Sequence, residues 1–233
     1  MDRTFVFVDL SGDTSTATGV RWGSRSCVSL VVRQATDSLC LDRVVVVAPH
    51  TDDPRRESAL REVVPPEVPI FTSSHPDALG RLNAAAHAYD ATGVIRVDGT
   101  QMLVDPAFID RLLAAAHEVN TADYIGYIDE AGRYLAESVA LLPEWCHAMA
   151  LDRADREAFR SIDRESATRY LRHHSKRFRL MTLPVAPRDL LAARRCVSYV
   201  NQDWEINPAV ATGSGDWPQG SDSMQMQSLG VRN

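Results

Sequence analysis

The sequence predicts an α/β fold with three layers, α/β/α, around a mostly parallel central sheet. Three observations carry this. Short β-rich apolar runs alternate with longer segments of helical spacing. One run, Val44-Val45-Val46-Val47, is apolar at every position, as a strand covered on both faces must be. Two helical segments open with proline, at Pro54 and Pro106, a residue whose missing N–H costs nothing in a first turn.

In chain order, strands are predicted at 5–10, 43–48, 68–71, 94–97 and 124–128, with helices at 26–39, 54–63, 76–89 and 106–119 between them. The stretch Arg81-Leu82-Asn83-Ala84-Ala85-Ala86 is rich in strong helix formers. Phe108, Ile109, Leu112, Leu113 and Ala116 recur along one face of the helix that follows. Beyond residue 130 the pattern gives an extended piece near 133–142, a helix from Pro143, a charged helix over 164–177, and strands at 178–185 and 196–200. That half has too few strands to stand alone, so residues 1–206 are expected to form one domain. Residues 207–233, collecting Gly, Ser, Gln, Asp and Pro, are expected to be a disordered tail.

Composition narrows the function. Lys plus Arg number 25 against 31 Asp plus Glu, a formal charge of −6, which leaves no basic excess to displace counterions from a nucleic acid. The longest apolar runs, 44–49 and 112–116, fall far short of the roughly 20 residues that cross a bilayer. The start leads straight into the alternating run 4–10, without the longer apolar region of a secretory signal. A cytoplasmic protein without nucleic-acid or membrane partners is expected. Cys27, Cys40, Cys146 and Cys196 form no C-x-x-C pair and read as reduced thiols rather than a zinc site.

In an open parallel sheet, ligands bind off the carboxyl ends of the strands. The first such loop, 9–19, is rich in small hydroxyl residues, and Ser11 and Gly12 are candidates to offer backbone N–H groups to a phosphate. It carries no Lys or Arg between Arg3 and Arg21, while Asp9 and Asp13 add negative charge that repels a triphosphate. Neither a P-loop nor a G-x-G-x-x-G spacing is present. After the fourth strand, Asp98 before Gly99 is the candidate metal ligand, although Asp98 and Asp105 suit a turn and a helix cap equally well. The run Arg172, His173, His174, Lys176, Arg177 and Arg179 reads as a solvated basic face that can dock a partner, and Gly213-Ser214-Gly215 lacks the spacing of a serine-hydrolase elbow. No catalytic nucleophile or base stands out.

Several motifs follow one another in a telling order. They are Leu41 through Ala48; Phe71-Thr72-Ser73-Ser74 and then Asp77-Ala78-Leu79-Gly80-Arg81; and Ile95-Arg96-Val97-Asp98-Gly99-Thr100 with Asp105-Pro106. Ala122-Asp123-Tyr124, Arg164-Glu165-Ser166-Ala167-Thr168-Arg169-Tyr170 and the stretch Val197 to Glu205 complete the series. Together they resemble the cytidylyltransferase family of the spore-coat polysaccharide type, relatives of the CMP-sugar synthetases. The resemblance implies a nucleotide-diphospho-sugar-transferase fold and attack of a sugar hydroxyl on the α-phosphorus of CTP. It also implies CTP, CMP or a sugar as ligand, Mg2+ if the chain is active, and a second copy or an active paralogue as partner. By the same resemblance, Arg81 and Arg96 hold an anionic nucleotide or sugar carboxylate, and Glu137 stands at a substrate-side glutamate.

The departures matter as much. The first loop lacks the family's basic residues; Thr100 and Tyr199 stand where the family has its two metal-binding aspartates; and Ser166 replaces a histidine. Because nucleotidyl transfer relies on positioned cations, the expectation is a cytidylyltransferase-like protein of sugar-nucleotide metabolism that is catalytically degenerate and binds a nucleotide or sugar. The alternatives are an active, divergent nucleotidyl- or glycosyltransferase using Mg2+ at Asp98, and a structural interaction module.

Overall fold

The computed structural model describes residues 3–10, 19, 21–22, 24–38, 44–102, 104–135 and 142–186. Ser11, Gly12, Glu137, the strand expected at 196–200 and the tail expected at 207–233 lie outside the described residues.

The described elements are β1 (Thr4–Asp9), a small hairpin of β2 (Arg21–Trp22) and β3 (Arg25–Ser26), α1 (Cys27–Thr36), β4 (Val44–Pro49), α2 (Pro54–Val63), β5 (Ile70–Ser73) and α3 (Ala78–Ala88). They continue as β6 (Gly93–Asp98), α4 (Pro106–Glu118), β7 (Tyr124–Ile128), β8 (Glu144–His147), α5 (Ala148–Glu157), α6 (Ser161–Arg164), α7 (Arg169–His173) and β9 (Leu180–Pro184). Seven strands form one sheet in the order β5-β4-β1-β6-β8-β7-β9. All neighbours are parallel except β8, which runs against both β6 and β7.

Helices cover both faces, and the sequence shows why. Val44 and Val46 join the apolar core under α1, α2 and α4, whereas Val45 and Val47 join the core under α3 and α5. Each such buried side chain contributes roughly 1.5–3 kcal/mol relative to exposure. Aspartates begin three crossovers: Asp53 accepts from Arg55 N at 3.0 Å, Asp77 from Gly80 N at 2.8 Å and Asp105 from Ala107 N at 2.9 Å. Gly99 lies close against Leu10, and a Cβ there would force the Leu10 side chain to move.

Two elements differ from expectation. The helix expected from Pro143 is first a strand, β8, and only then α5, which starts at Ala148 behind the cap supplied by the His147 Nδ1. Of the charged helix expected over 164–177 only α7 is helical, α6 ending at Arg164, because Arg164 turns to the half-buried Asp77 and Asp155 and Thr168 to the buried Glu144 instead of following one helical face. Strand β5 also lies two residues later than the apolar pattern placed it.

Candidate functional site

The chain moves outward from β1 through β4 to β5, then crosses back and lays β6 on the other side of β1. The strand order therefore reverses between β1 and β6, the position at which an open α/β sheet forms its ligand crevice. Asp9 and Asp98 end these two strands and are paired in register. Since β8 is antiparallel, its first residue, Glu144, arrives at the same edge, in register with Arg96. Phe7, Val45, Val94 and Cys146 belong to the α3–α5 side of the sheet, and side-chain alternation puts Asp9, Arg96 and Glu144 on that side too.

Arg96 is the centre of this cluster, with each guanidinium nitrogen on a different acid. Nε donates to Asp9 Oδ2 at 3.0 Å, Nη1 to Glu144 Oε2 at 3.4 Å and Nη2 to Asp98 Oδ2 at 3.3 Å. Burial opposes its charge, but the carboxylates of Asp9, Asp98 and Glu144 outweigh that and raise its pKa. Glu144 in turn accepts from Arg172 Nη1, from the Thr168 hydroxyl at 2.8 Å and from the Tyr124 hydroxyl at 2.5 Å. Desolvation pushes the Glu144 carboxyl up, yet Arg172, Arg96 and the two hydroxyls hold it below the usual carboxylate range. The Tyr124 phenol is driven well above its ordinary value by burial and by Glu144 beside it. Its ring lies along β7 over Gly126, where a Cβ would come within 2.8 Å of ring carbons.

A second polar cluster joins α3 to α5. Arg164 Nε donates to Asp77 Oδ2 at 2.8 Å, its Nη2 to Asp155 Oδ1 at 2.5 Å, and its Nη1 to the carbonyl oxygens of Asp155 and Ala158. Arg81, 4% exposed, donates from Nη1 to His75 O at 3.0 Å and so fixes the loop between β5 and α3 at the sheet edge. A depression of about 170 Å3 lies between α2 and the ends of β4 and β5, with His50, Arg56, Leu60 and Thr72 among its walls; of the candidate ligand-binding residues Arg81, Arg96 and Asp98, none lines it.

Sequence reasoning thus picked Arg96 and Asp98, which the fold brings together, and Arg81, which it places in the neighbouring loop region. Both arginines face inward onto groups of the chain itself. It missed Glu144, Tyr124, Thr168 and Arg172 as a set. The available signal was an ionisable residue, Glu144, in a segment otherwise apolar, Leu142 to Cys146. Of the basic face expected over 172–179, Arg172 is buried on Glu144, whereas His173, Lys176, Arg177 and Arg179 stay exposed, Arg177 pairing with Glu157 at 2.9 Å and Arg179 with Asp123 at 3.1 Å.

The donor set does not fit a divalent cation. Asp98 Oδ1 accepts from Thr100 N at 2.9 Å and Thr100 Oγ1 at 2.6 Å, while Oδ2 faces Arg96. Asp98 thereby closes a turn. Among the described residues no three His, Cys, Asp or Glu side chains converge as metal ligands. A hard cation wants several accessible oxygens at once.

Comparison with known proteins adds the following. A family model described as cytidylyltransferase matches residues 22–195. No curated protein matches the chain in sequence. A cytidylyltransferase from Leptospira borgpetersenii serovar Hardjo-bovis (strain JB197) superposes with a TM-score of 0.65 at 14% identity, covering 92% of this chain and 98% of that one. A CMP:2-keto-3-deoxy-manno-octonic acid synthetase, solved with CTP, gives a TM-score of 0.61 at 15% identity over 85% of this chain and 99% of the other. A protein of Mycobacterium tuberculosis H37Rv, solved with manganese, gives 0.57 at 15% identity over 78% and 88%. At these identities the structural likeness establishes the fold, that of nucleotide-diphospho-sugar-transferase-like proteins.

Proposed function

The chain belongs to the cytidylyltransferase family, and on that premise we propose that it binds a cytidine nucleotide or CMP-sugar at the C-terminal edge of its sheet without carrying out ordinary nucleotidyl transfer. The observation that carries this reading is the closure of both strand-end aspartates, with Glu144, onto Arg96. The cations needed to neutralise a reacting triphosphate are then missing twice: the first loop has no Lys or Arg, and the acids at the strand ends are occupied by the chain's own guanidinium. Removing one preorganised charge-stabilising donor costs an enzyme about 2.7–4 kcal/mol, and losing several leaves binding without turnover. In this reading backbone N–H groups of Ser11 and Gly12 meet phosphate, Glu137 stands on the sugar side, and Arg81 acts by holding the loop from Ser73 to Asp77. The role is that of a nucleotide-sugar sensor or of a regulator of an active paralogue in sugar-nucleotide metabolism.

One fact favours the rival, an active transferase using Asp98. Its side chain keeps 33% exposure, whereas that of Asp9 has none. The two readings separate in one experiment. The purified chain is melted with CTP, CMP and CMP-sugars in EDTA and in Mg2+, and pyrophosphate is assayed with CTP and a panel of acidic sugars. A rise in melting temperature in EDTA, without pyrophosphate, is the expected result. Pyrophosphate release that Asp98→Ala abolishes would establish the transferase instead. No shift with any nucleotide would leave a purely structural module.

A further inference from the structure

Strand β5 ends the sheet, and no described strand lies on its outer side. Its bonds to β4 show which of its groups face out. Val46 N donates to Pro69 O at 3.0 Å and His50 N to Ser73 O at 2.8 Å, with Val46 in register with Ile70 and Ala48 with Thr72. Main-chain groups alternate in direction along a strand, so Pro69, Phe71 and Ser73 serve β4, while the N–H and C=O of Ile70 and Thr72 point away from the sheet. We propose that β5 pairs antiparallel with β5 of a second copy of the chain, across a two-fold axis through Phe71, joining the two sheets edge to edge and laying the two α2 helices side by side.

The edge is unguarded. Sheet edges are ordinarily blunted by charged side chains, proline or a bulge, yet β5 reads Ile-Phe-Thr-Ser in unbroken register with β4, and Pro69 before it turns its carbonyl to β4. The other edge strand, β9, ends in Pro184, whose carbonyl is taken by Arg111 at 3.0 Å. The register of β5 is also self-complementary. With Phe71 on the axis, Ile70 lies opposite the partner's Thr72 and Thr72 opposite the partner's Ile70, so every outward N–H and C=O of the strand finds a mate. The two Phe71 side chains then meet on the α3 face as the closely spaced pair of the ladder. In the single chain Phe71 packs on that core but is only half-buried, so pairing removes apolar surface from water. Helix α2 completes the match. Of its residues only Leu60 is buried, and it lies over β4 and β5, sharing a depression with Ile70 and Thr72. At the spacing of neighbouring strands, two such helices on the joined sheets stand about 10 Å apart, the separation of packed helices. Because they run antiparallel, Arg55, Arg56 and Glu57 at the start of one meet Arg61 and Glu62 at the end of the other, which sets arginine against glutamate in both directions. The inference concerns assembly alone and stands whether or not the chain binds a nucleotide.

The test is sedimentation equilibrium of the full chain, of Thr72→Lys and, on the opposite edge, of Thr182→Lys, with far-ultraviolet dichroism to check folding; both threonines are exposed. The expected result is a concentration-dependent dimer for wild type and Thr182→Lys, and a folded monomer for Thr72→Lys at the same concentrations. Two further variants read the helices: Arg61→Glu weakens dimerisation, and Glu57→Arg/Arg61→Glu, which restores opposite charges, recovers it. A wild type that stays monomeric into the millimolar range overturns the proposal, as does a dimer that survives Thr72→Lys, one that Thr182→Lys abolishes, one indifferent to the α2 variants, or open-ended assembly beyond the dimer. If Thr72→Lys does not fold, the α2 variants decide: loss with Arg61→Glu and recovery with the double exchange support the pairing, and any other response overturns it.

Discussion

Glu144 holds more of the site together than any residue picked out by sequence. Its two oxygens receive Arg96, Arg172, Tyr124 and Thr168, and these come from β6, β7 and the segment around α7. Removing one partner of a buried ion network strands the others, which typically costs 3–5 kcal/mol, far more than such a network contributes over a well-packed apolar substitute. Glu144→Ala should therefore lose about 3–5 kcal/mol in urea unfolding; a loss of under about 1 kcal/mol would mean that the network does not anchor these segments. The pH dependence has a definite sign. The folded carboxyl titrates below its unfolded value of about 4.3, so its contribution is complete above that pH and disappears as pH falls through the lower, folded value. Glu144→Gln should flatten this part of the acid limb of stability against pH while leaving the neutral-to-alkaline side unchanged in shape.

At the scale of elements, local chemistry predicts some features and context decides others. The α2 and α4 starts were legible because Asp-Pro states both a cap and a first turn, and both helices begin where that dipeptide puts them. Asp105→Ala should cost about 1 kcal/mol through loss of its bond to Ala107 N, measurable as a lower urea midpoint at constant slope. Strand β8 was not legible, because four residues beginning with glutamate carry little β signal of their own. The strand pairs with β6 and β7, where Arg96, Arg172, Tyr124 and Thr168 satisfy its buried acid. Likewise Gly126 reads as a weak point in β7, yet its missing Cβ is the space the Tyr124 ring occupies on its way to Glu144. Gly126→Ala is expected to cost about 1–3 kcal/mol by overpacking and to shift the near-ultraviolet dichroism of the tyrosine; a neutral substitution would show that the ring can sit elsewhere.

For the whole molecule, the two apolar cores on opposite faces of the sheet make it a three-layer body in which the buried thiols are shielded. Desolvation pushes the Cys27 thiol up to about 11 and raises that of Cys146 as well. With Cys40 and Cys196 replaced by serine, the native chain should react with a disulfide reagent at mildly alkaline pH only as fast as it opens, and denaturant should release both thiols at once. Fast labelling of the native chain would contradict the packing described for α1 and β8. Among the described residues no helix is long and apolar enough to cross a membrane.

By itself the sequence determined the α/β class, the alternation of strands and crossover helices through residue 128, and the candidate pair Arg96 and Asp98, because these depend on periodicity, caps and residue type within a short window. The tertiary structure decided which way those side chains point and what they meet. Whether Arg96 reaches out to a ligand or in to three acids depends on an antiparallel strand that brings Glu144 from 48 positions away. Buried charge is tolerated only where distant partners converge on it, and the residue pattern along one segment carries no record of such convergence.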